Sequence, residues 1–241
     1  MTSCDVLIAG AGPVGATLAA LVRECDLDCR CIEPNPHWDG ADRPIALTYG
    51  SRLILERAGM WASLDPTPIE VVHVAQPAGR ARATLARDDL GLPALGYVVA
   101  ARELGLACTA AVAESGALLI RDRLRHCIGG GEHALVELAS GQALQARLVV
   151  RADGIDRAAT LGFDYAQRAV VARLRPVGVP AAQAFEYFAA GGPIGVLPHG
   201  DACEVVWSAP SELARRLARM PESEFLAALH QALAVELQFD A

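Results

Sequence analysis

The sequence predicts an α/β fold in which a βαβ domain is interleaved with a smaller β-sheet domain. Two observations support this prediction. A strand–glycine–helix–strand pattern occupies the first 33 residues, and short β-like segments dominate residues 69–99 and 165–207. We assign residues 1–68 and 101–164 to the first domain, and residues 69–100 and 165–241 to the second.

Composition and charge narrow the class of protein. Of the 241 residues, 53% are hydrophobic and 20% are charged, which predicts a packed core rather than intrinsic disorder. The net charge of −7 argues against a general nucleic-acid binder. No apolar run reaches the roughly 18 residues that span a bilayer, and the segment from Met1 to Asp5 lacks the basic start of a secretory signal. We therefore expect a soluble, cytoplasmic protein that does not bind nucleic acid.

The first motif is a glycine-rich turn between a strand and a helix. The apolar run Asp5–Ala9 ends in the sequence Gly10-Ala11-Gly12-Pro13-Val14-Gly15. In such a turn the first glycine permits the sharp bend, the second lets a pyrophosphate approach the backbone, and the third allows close helix–sheet packing. These roles correspond to Gly10, Gly12 and Gly15. The spacing predicts a Rossmann-like βαβ unit that binds a dinucleotide.

The residues after the turn complete this pattern. Pro13 suits the first helical turn, which needs no N–H from it, and the start of the helix favours phosphate. A second short strand, Cys29–Ile32, leads into Glu33, which lies 18 residues beyond Gly15. A carboxylate there would accept hydrogen bonds from a ribose diol and would repel the 2′-phosphate of NADP. The motif alone does not separate FAD from NAD.

The middle of the chain carries shorter elements bounded by proline and glycine. We predict strands at 69–75, 82–85 and 96–99, a helix over 102–127 with a final strand near 118–120, and a hairpin over 134–150. The hairpin turns at Ser140-Gly141. Its second strand runs into Ala152-Asp153-Gly154, and an Asp-Gly pair after a buried strand is typical of a turn.

Residues 41–61 and the Ala152-Asp153-Gly154 segment carry a resemblance to a known family. Arg43-Pro44-Ile45-Ala46-Leu47 is followed by a helical segment ending in Leu55-Glu56-Arg57-Ala58-Gly59-Met60-Trp61. In these segments the chain resembles the ubiquinone-biosynthesis flavin hydroxylases, within the para-hydroxybenzoate hydroxylase-like FAD monooxygenases. The Ala-Asp-Gly segment is similar to the motif that this family places beside the phosphates of its cofactor. Residues 184–207 are similar to the family's Phe-Glu pair, Gly-Pro loop and strand ending in Trp.

This resemblance implies a cofactor, a substrate and a reaction. The cofactor would be FAD, with NAD(P)H as transient reductant, and the enzyme would be an FAD-dependent monooxygenase that uses O₂ to hydroxylate an aromatic ring. The substrate would be a prenylated phenol resembling a ubiquinone precursor, docked on the sheet of residues 69–99 and 165–207. No catalytic side chain is assigned, because the flavin carries the chemistry. The cofactor-binding residues would be Gly10, Gly12, Pro13, Gly15, Glu33, Arg43, Arg102, Asp153 and Gly154.

The chain also departs from the family at identifiable positions. It has Arg157 and Thr160 where the family usually has Ser and later Arg, and Asp26 where the βαβ pattern normally shows Gly. The family's third cofactor motif is missing. Gly200-Asp201-Ala202 imitates its beginning, but it joins Leu197-Pro198 to a strand and is therefore predicted to be a hairpin turn. We expect the chain to correspond to the first three-fifths of a complete member, with the C-terminal part missing.

Other interpretations remain open. The chain could be a truncated FAD-binding remnant without turnover, or an NAD-dependent oxidoreductase that shares the βαβ unit. A flavin-dependent halogenase or epoxidase shares the fold, but a halogenase is expected to place a lysine over the flavin and this chain has no lysine. The histidines and cysteines lack the paired spacing of metal ligands, so no metal is expected. By resemblance we also expect peripheral contact with the inner membrane and partners in a ubiquinone-biosynthesis complex.

Overall fold

The computed structural model describes residues 2–36, 43–76, 81–154, 163–178, 181–233 and 237–240. In these residues the strands are β1 (Thr2–Ala9), β2 (Cys29–Ile32), β3 (Pro44–Thr48), β4 (Thr67–Ile69), β5 (Val71–Ala75), β6 (Arg82–Ala86), β7 (Gly96–Ala100), β8 (Leu118–Ile120), β9 (Leu124–Ile128), β10 (Ala134–Leu138), β11 (Ala143–Arg151), β12 (Gln167–Val177), β13 (Gln183–Ala189), β14 (Gly192–His199), β15 (Ala202–Pro210) and β16 (Gln238–Asp240). The α-helices are α1 (Pro13–Val22), α2 (Tyr49–Arg57), α3 (Arg87–Leu90), α4 (Ala101–Glu114), α5 (Ser211–Leu217) and α6 (Glu222–Leu233).

The chain forms two units, each assembled from separate segments of the sequence. Unit 1 comprises Met1–Asp42, Ser51–Asp65 and Ala100–Gly162, and unit 2 comprises Arg43–Gly50, Pro66–Val99 and Phe163–Ala241. The predicted α/β fold class is confirmed. The segment Arg43–Gly50, which the sequence-based division placed in the first domain, groups with unit 2 because β3 joins β7 and β4 in a three-stranded sheet.

Unit 1 is built on a six-stranded sheet with the order β8-β2-β1-β11-β10-β9. Strand β1 lies in the centre and pairs in parallel with both β2 and β11. Leu7 and Ile8 are fully buried, as expected for a parallel strand that is covered on both faces. Helices α1 and α4 lie against each other in this unit. The arrangement brings the carboxyl ends of β1, β2 and β11 to the same edge of the sheet.

The turn between α1 and β2 places a non-glycine residue in the left-handed conformation. Asp26 has a φ of 52° and a ψ of 42°, which is the left-handed region. Asp tolerates this conformation better than most residues. Asp26 therefore replaces the glycine that the βαβ pattern normally shows at little conformational cost.

The predicted helix over 102–127 is wrong in its second half. Helix α4 ends at Glu114, and Gly116 follows with a φ of +74°. A left-handed glycine just beyond the last turn is a common helix stop. Strands β8 and β9 occupy the remainder of the segment. The predicted strand near 118–120 is confirmed as β8, and the predicted hairpin is confirmed as the antiparallel pair β10 and β11.

Unit 2 is built on a seven-stranded sheet with the order β16-β12-β15-β14-β13-β5-β6. Helices α5 and α6 contribute to the core on one of its faces, where Trp207 of β15 packs near Phe225 of α6. The Gly200-Asp201-Ala202 segment is confirmed as a hairpin turn, because β14 and β15 are antiparallel neighbours and His199 opposes Ala202. Gly200 adopts a φ of +63° in this turn.

Two features are absent from the described residues. Within those residues, no helix combines the length and apolar character that crossing a membrane requires. The same part of the chain holds no cluster of three or more His, Cys, Asp or Glu side chains arranged to bind a metal ion.

Candidate nucleotide-binding site

The candidate site is a cavity of about 720 Å³ in unit 1, at the carboxyl ends of β1, β2 and β11. Open α/β sheets bind their ligands at this edge. The cavity is lined by Ala9, Gly10, Gly12, Pro13, Ile32, Glu33, Pro34, Asn35, Asp122, Arg123, Leu124, Arg151, Ala152, Asp153 and Gly154. The glycine motif, the acid after β2 and the Ala-Asp-Gly segment are distant in sequence and meet here.

Backbone hydrogen bonds at and beside Gly10 join the ends of β1, β2 and β11. Its N–H donates to the carbonyl of Ile32 at 2.8 Å, while the N–H of Ala152 donates to the carbonyl of Ala9 at 2.7 Å. Gly10 has a φ of +97°, and a Cβ on it would lie 2.7 Å from the Cα of Asp153. Both the conformation and the close approach exclude a larger residue. The glycine turn and the Ala152-Asp153-Gly154 segment are therefore in direct backbone contact at Gly10.

Gly15 and Gly12 differ sharply in their surroundings. Gly15 is buried in the first turns of α1, and a Cβ on it would overlap the carbonyl of Gly10. Around Gly12, by contrast, no described atom beyond the adjacent backbone lies within 4 Å of the position a Cβ would take. The third glycine is thus required for packing. The second glycine faces open space, in which a ligand could approach the protein backbone.

The start of α1 supplies hydrogen-bond donors at the cavity. Gly12 is the N-cap residue, Pro13 is the first helical residue, and the N–H of Ala16 is bonded to the carbonyl of Gly12 at 2.8 Å. The N–H groups of Val14 and Gly15 have no acceptor within the helix, and Pro13 has no N–H. The first turn contains no acidic residue. This helix end therefore favours an anion such as phosphate.

The Glu33 carboxylate faces the glycine turn and is held by backbone donors. It accepts hydrogen bonds from the N–H of Ala11 at 2.9 Å and from the N–H of Asn35 at 3.0 Å, one on each oxygen. A carboxylate offers about four acceptor positions, so each oxygen retains capacity for a further donor. The half-buried side chain lines the cavity. The carboxylate can therefore accept further hydrogen bonds from the cavity side.

Opposite charges flank the cavity beyond Glu33. Arg151, the last residue of β11, forms an ion pair with Asp153 at 2.9 Å. The hydrogen bond from Arg151 lowers the pKa of the Asp153 carboxyl. A hydrogen bond from Ser140 likewise lowers the pKa of Asp122. Both acids are therefore ionised at neutral pH, and Arg123 and Arg151 add positive charge to the lining.

The structure brings most of the predicted cofactor-binding residues together. Six of them line the cavity: Gly10, Gly12, Pro13, Glu33, Asp153 and Gly154. Gly15 packs directly behind the turn. Arg102 is exposed in the first turn of α4 and is not a lining residue, and Arg43 is exposed in unit 2. Arg157 and Thr160 lie outside the described residues.

Sequence reasoning missed Arg151, Asp122 and Arg123 as lining residues. A signal existed for Arg151, because it ends the strand that leads into Ala152-Asp153-Gly154 and β11 proves to be parallel to β1. The loop between β8 and β9, which carries Asp122 and Arg123, was assigned to a helix. Its position at the cavity could not be inferred from that assignment.

Comparisons with known proteins identify relatives of this chain. The chain is 30% identical to an uncharacterized Synechocystis protein over 244 residues, which is 94% of this chain and 59% of that protein. It is 29% identical to the ubiquinone hydroxylase UbiL of Rhodospirillum rubrum over 246 residues, covering 94% of this chain and 57% of UbiL. The chain thus spans somewhat less than three-fifths of the length of these relatives. No protein-family model matches the chain.

Solved structures show the same fold. PqsL of Pseudomonas aeruginosa, described as a probable FAD-dependent monooxygenase, superimposes with a TM-score of 0.69 at 20% identity, covering 100% of this chain and 73% of PqsL. The p-nitrophenol 4-monooxygenase PnpA of Pseudomonas putida gives a TM-score of 0.68 at 15% identity, covering 100% of this chain and 67% of PnpA. The resemblance to ubiquinone-biosynthesis FAD-dependent hydroxylases is confirmed by the named relatives, and the para-hydroxybenzoate hydroxylase-like fold by these structures.

Proposed function

We propose that this chain binds FAD in unit 1 and forms part of an FAD-dependent monooxygenase that hydroxylates an aromatic substrate. The named relatives include ubiquinone hydroxylases, which supports a prenylated phenol of the ubiquinone-precursor type as substrate. The reductant in this proposal is NAD(P)H and the oxidant is O₂. Because this chain spans 57% of UbiL, the reaction is proposed for the protein to which these units belong.

The residues around the cavity fit the adenosine diphosphate half of FAD. In the proposal, Glu33 accepts hydrogen bonds from the ribose diol, and the pyrophosphate lies over Gly12 at the N-terminus of α1. Pro13 and Gly15 fix the start of that helix, and Gly10 packs the turn against Asp153 and Gly154. When bound, FAD supplies the redox and oxygen-transfer chemistry that the side chains of this chain cannot perform.

The two predicted arginines have a separate place in the proposal. Arg43 and Arg102 are exposed cations, and we assign them to the flavin end of the cofactor by resemblance alone. The same resemblance supports peripheral contact with a membrane, which a prenylated substrate requires, and partners among the enzymes of ubiquinone biosynthesis. Each of these assignments is independent of the nucleotide site in unit 1.

The observation that carries the proposal is the position of the Glu33 carboxylate, which is held by the glycine turn while lining the same cavity as Gly12. The test is a titration of the purified chain with FAD, followed by quenching of flavin fluorescence, with NAD⁺ titrated in parallel. We expect saturable FAD binding and much weaker NAD⁺ binding. Binding of NAD⁺ without FAD would instead support the NAD-dependent oxidoreductase.

A turnover assay separates the hydroxylase from a non-catalytic FAD-binding remnant. The FAD-loaded protein is incubated with NADH or NADPH, O₂ and a prenylated phenol, and the product is examined by mass spectrometry. The proposal predicts a product 16 mass units heavier than the substrate, with the added oxygen derived from ¹⁸O₂. If the chain binds FAD but the substrate does not stimulate consumption of NADH or NADPH, the chain is a non-catalytic FAD-binding remnant.

A further inference from the structure

The seven-stranded sheet of unit 2 has one face that packs against helices and one that does not contribute to that core. On the second face the strand pairings align one row of residues across five strands. Val74 of β5 opposes Glu186 of β13, which opposes Gly195 of β14, then Val206 of β15 and Val171 of β12. We call these five residues the apolar row. Glu186 is its only charged member.

The Glu186 carboxylate has no partner among the residues that the structure describes. Its side chain is half-buried, and burial raises the pKa of its carboxyl group. The neighbouring row contains a contrasting acid: Glu204, only 7% exposed, contacts His199 Nδ1 at 3.1 Å and the Arg173 guanidinium at 3.6 Å. Burying a carboxylate without a donor is unfavourable. Glu186 therefore keeps acceptor capacity that no described side chain uses.

Gly195 leaves space for this carboxylate. A Cβ on Gly195 would lie 3.3 Å from Glu186 Oε2, so the acid extends across β14 directly over the glycine. Apolar side chains that solvent can reach lie beside it. Phe188, two residues along β13 on the same face, is 55% exposed, and Val74, which opposes Glu186 on the neighbouring strand β5, is partly exposed. A flat apolar ligand could pack on these side chains while reaching the carboxylate.

The apolar surroundings favour a neutral donor over a cation. A cationic ligand would have to lose its hydration on this surface, and that cost offsets much of the attraction to the carboxylate. A hydroxyl group donates a charge-assisted hydrogen bond without bringing a second charge out of water. The combination of an apolar surface with one unpaired carboxylate therefore matches an aromatic ring that carries a hydroxyl group.

We infer that Glu186 accepts the hydrogen bond of a phenolic hydroxyl group when the aromatic substrate packs on the apolar row. This inference rests on the proposed function, which makes the ligand a phenol, and it assigns that function a residue for substrate recognition. Gly195 is a positioning residue in this inference, because a Cβ there would lie 3.3 Å from Glu186 Oε2 and would crowd the carboxylate.

The test measures binding of a phenol and of its methyl ether, which lacks the hydroxyl donor. The full chain is titrated calorimetrically at pH 8 with 4-hexylphenol, 4-hexylanisole and 4-hexylbenzylamine. We expect the wild-type chain to bind the phenol at least tenfold more tightly than the ether, since hydrogen bonds to charged groups contribute on that scale. In Glu186→Leu we expect the phenol and the ether to bind with affinities that differ by no more than about twofold. In Glu186→Gln we expect an intermediate preference for the phenol.

Glu222→Gln is the matched control, because Glu222 is an exposed acid at the start of α6 in the same unit. It should retain the wild-type ratio. The inference is overturned if the wild-type chain does not prefer the phenol, if Glu186→Leu keeps the preference, or if the benzylamine is the ligand whose binding depends on Glu186.

Measurements of FAD affinity and stability keep this test separate from the proposed function. Glu186→Leu should bind FAD as the wild-type chain does, and it should unfold at the same or a higher temperature because a half-buried acid with a raised pKa has been removed. Loss of the phenol preference with unchanged FAD binding supports the inference. A wild-type chain that prefers the phenol but fails to bind FAD would contradict the proposed cofactor and leave the role of Glu186 intact. If Glu186→Leu unfolds at a lower temperature, Glu186 is structural and the inference is overturned.

Discussion

Glu33 in unit 1 and Glu186 in unit 2 are two half-buried acids in opposite situations. Glu33 is held by two backbone N–H groups at about 3 Å, while Glu186 has no donor among the described residues. The first acid is thus part of the fold before any ligand arrives, and its removal should affect both the turn and the cofactor. The second acid opposes folding, so its removal should affect ligand binding while leaving the fold as stable or more so.

The largest effect is expected at Gly10, where the two motifs of unit 1 meet. Gly10→Ala places a side chain on a left-handed residue and against the backbone of Asp153. We expect a loss of about 3 kcal/mol or more in the free energy of unfolding, from the combined costs of strain and overpacking. Urea denaturation measures it. Gly12→Asn should remain within about 0.5 kcal/mol of the wild type, because Gly12 faces open space and Asn is a favourable N-cap residue. Equal stability of the two variants would contradict this account of the turn.

The second prediction separates an effect on FAD affinity from an effect on the stability of the fold. Gly12→Asp and Gly12→Asn have similar size and both suit the N-cap position, but only Asp adds a negative charge where the pyrophosphate is proposed to lie. We expect Gly12→Asp to bind FAD at least tenfold more weakly than Gly12→Asn, with similar melting temperatures. Fluorescence titration gives the two dissociation constants. If both variants bind FAD as tightly as the wild type, the phosphates do not lie at this end of α1.

These two glycines also show what the sequence could reveal. The motif from Gly10 to Glu33 lies within one stretch of 24 residues, so its spacing predicted both the turn and the acid. The close approach of Gly10 to Asp153 could not be read from spacing, because it depends on the parallel pairing of β1 with β11. The apolar row was inaccessible for the same reason, since it requires the register of five strands. The strand near 118–120 was predicted and is β8, but the helix was extended too far because the stop at Gly116 was not recognised.

A third experiment tests the claim that Glu186 opposes folding. Because burial raises its pKa in the folded state, Glu186 binds protons more tightly when folded than when unfolded. Its presence therefore lowers stability as pH rises above the ordinary glutamate pKa. Glu186→Gln should be more stable than the wild type at pH 8, and this difference should shrink towards pH 4. Thermal unfolding at both pH values measures it, and a less stable variant at pH 8 would contradict the claim.

The smallest effect is expected at the Arg151–Asp153 ion pair beside the nucleotide cavity. Arg151 lowers the pKa of Asp153, so the pair stabilises the fold above the ordinary aspartate pKa and ceases to do so as that acid is protonated. Because both side chains are partly exposed, Arg151→Gln should cost at most about 0.5 kcal/mol at pH 7. The difference should vanish near pH 2. Denaturation curves at the two pH values would reveal a larger or pH-independent effect, which would assign Arg151 another structural role.

The central claim is that the Glu33 carboxylate holds the adenosine ribose of a bound cofactor. The most direct measurement is displacement of FAD from the chain by ADP and by 2′-phospho-ADP, in the wild type and in Glu33→Gln. The account predicts that ADP displaces FAD from the wild type, that 2′-phospho-ADP does so at least tenfold less effectively, and that Glu33→Gln narrows this gap. Equal displacement by both nucleotides in the wild type, or no displacement by ADP, would contradict it.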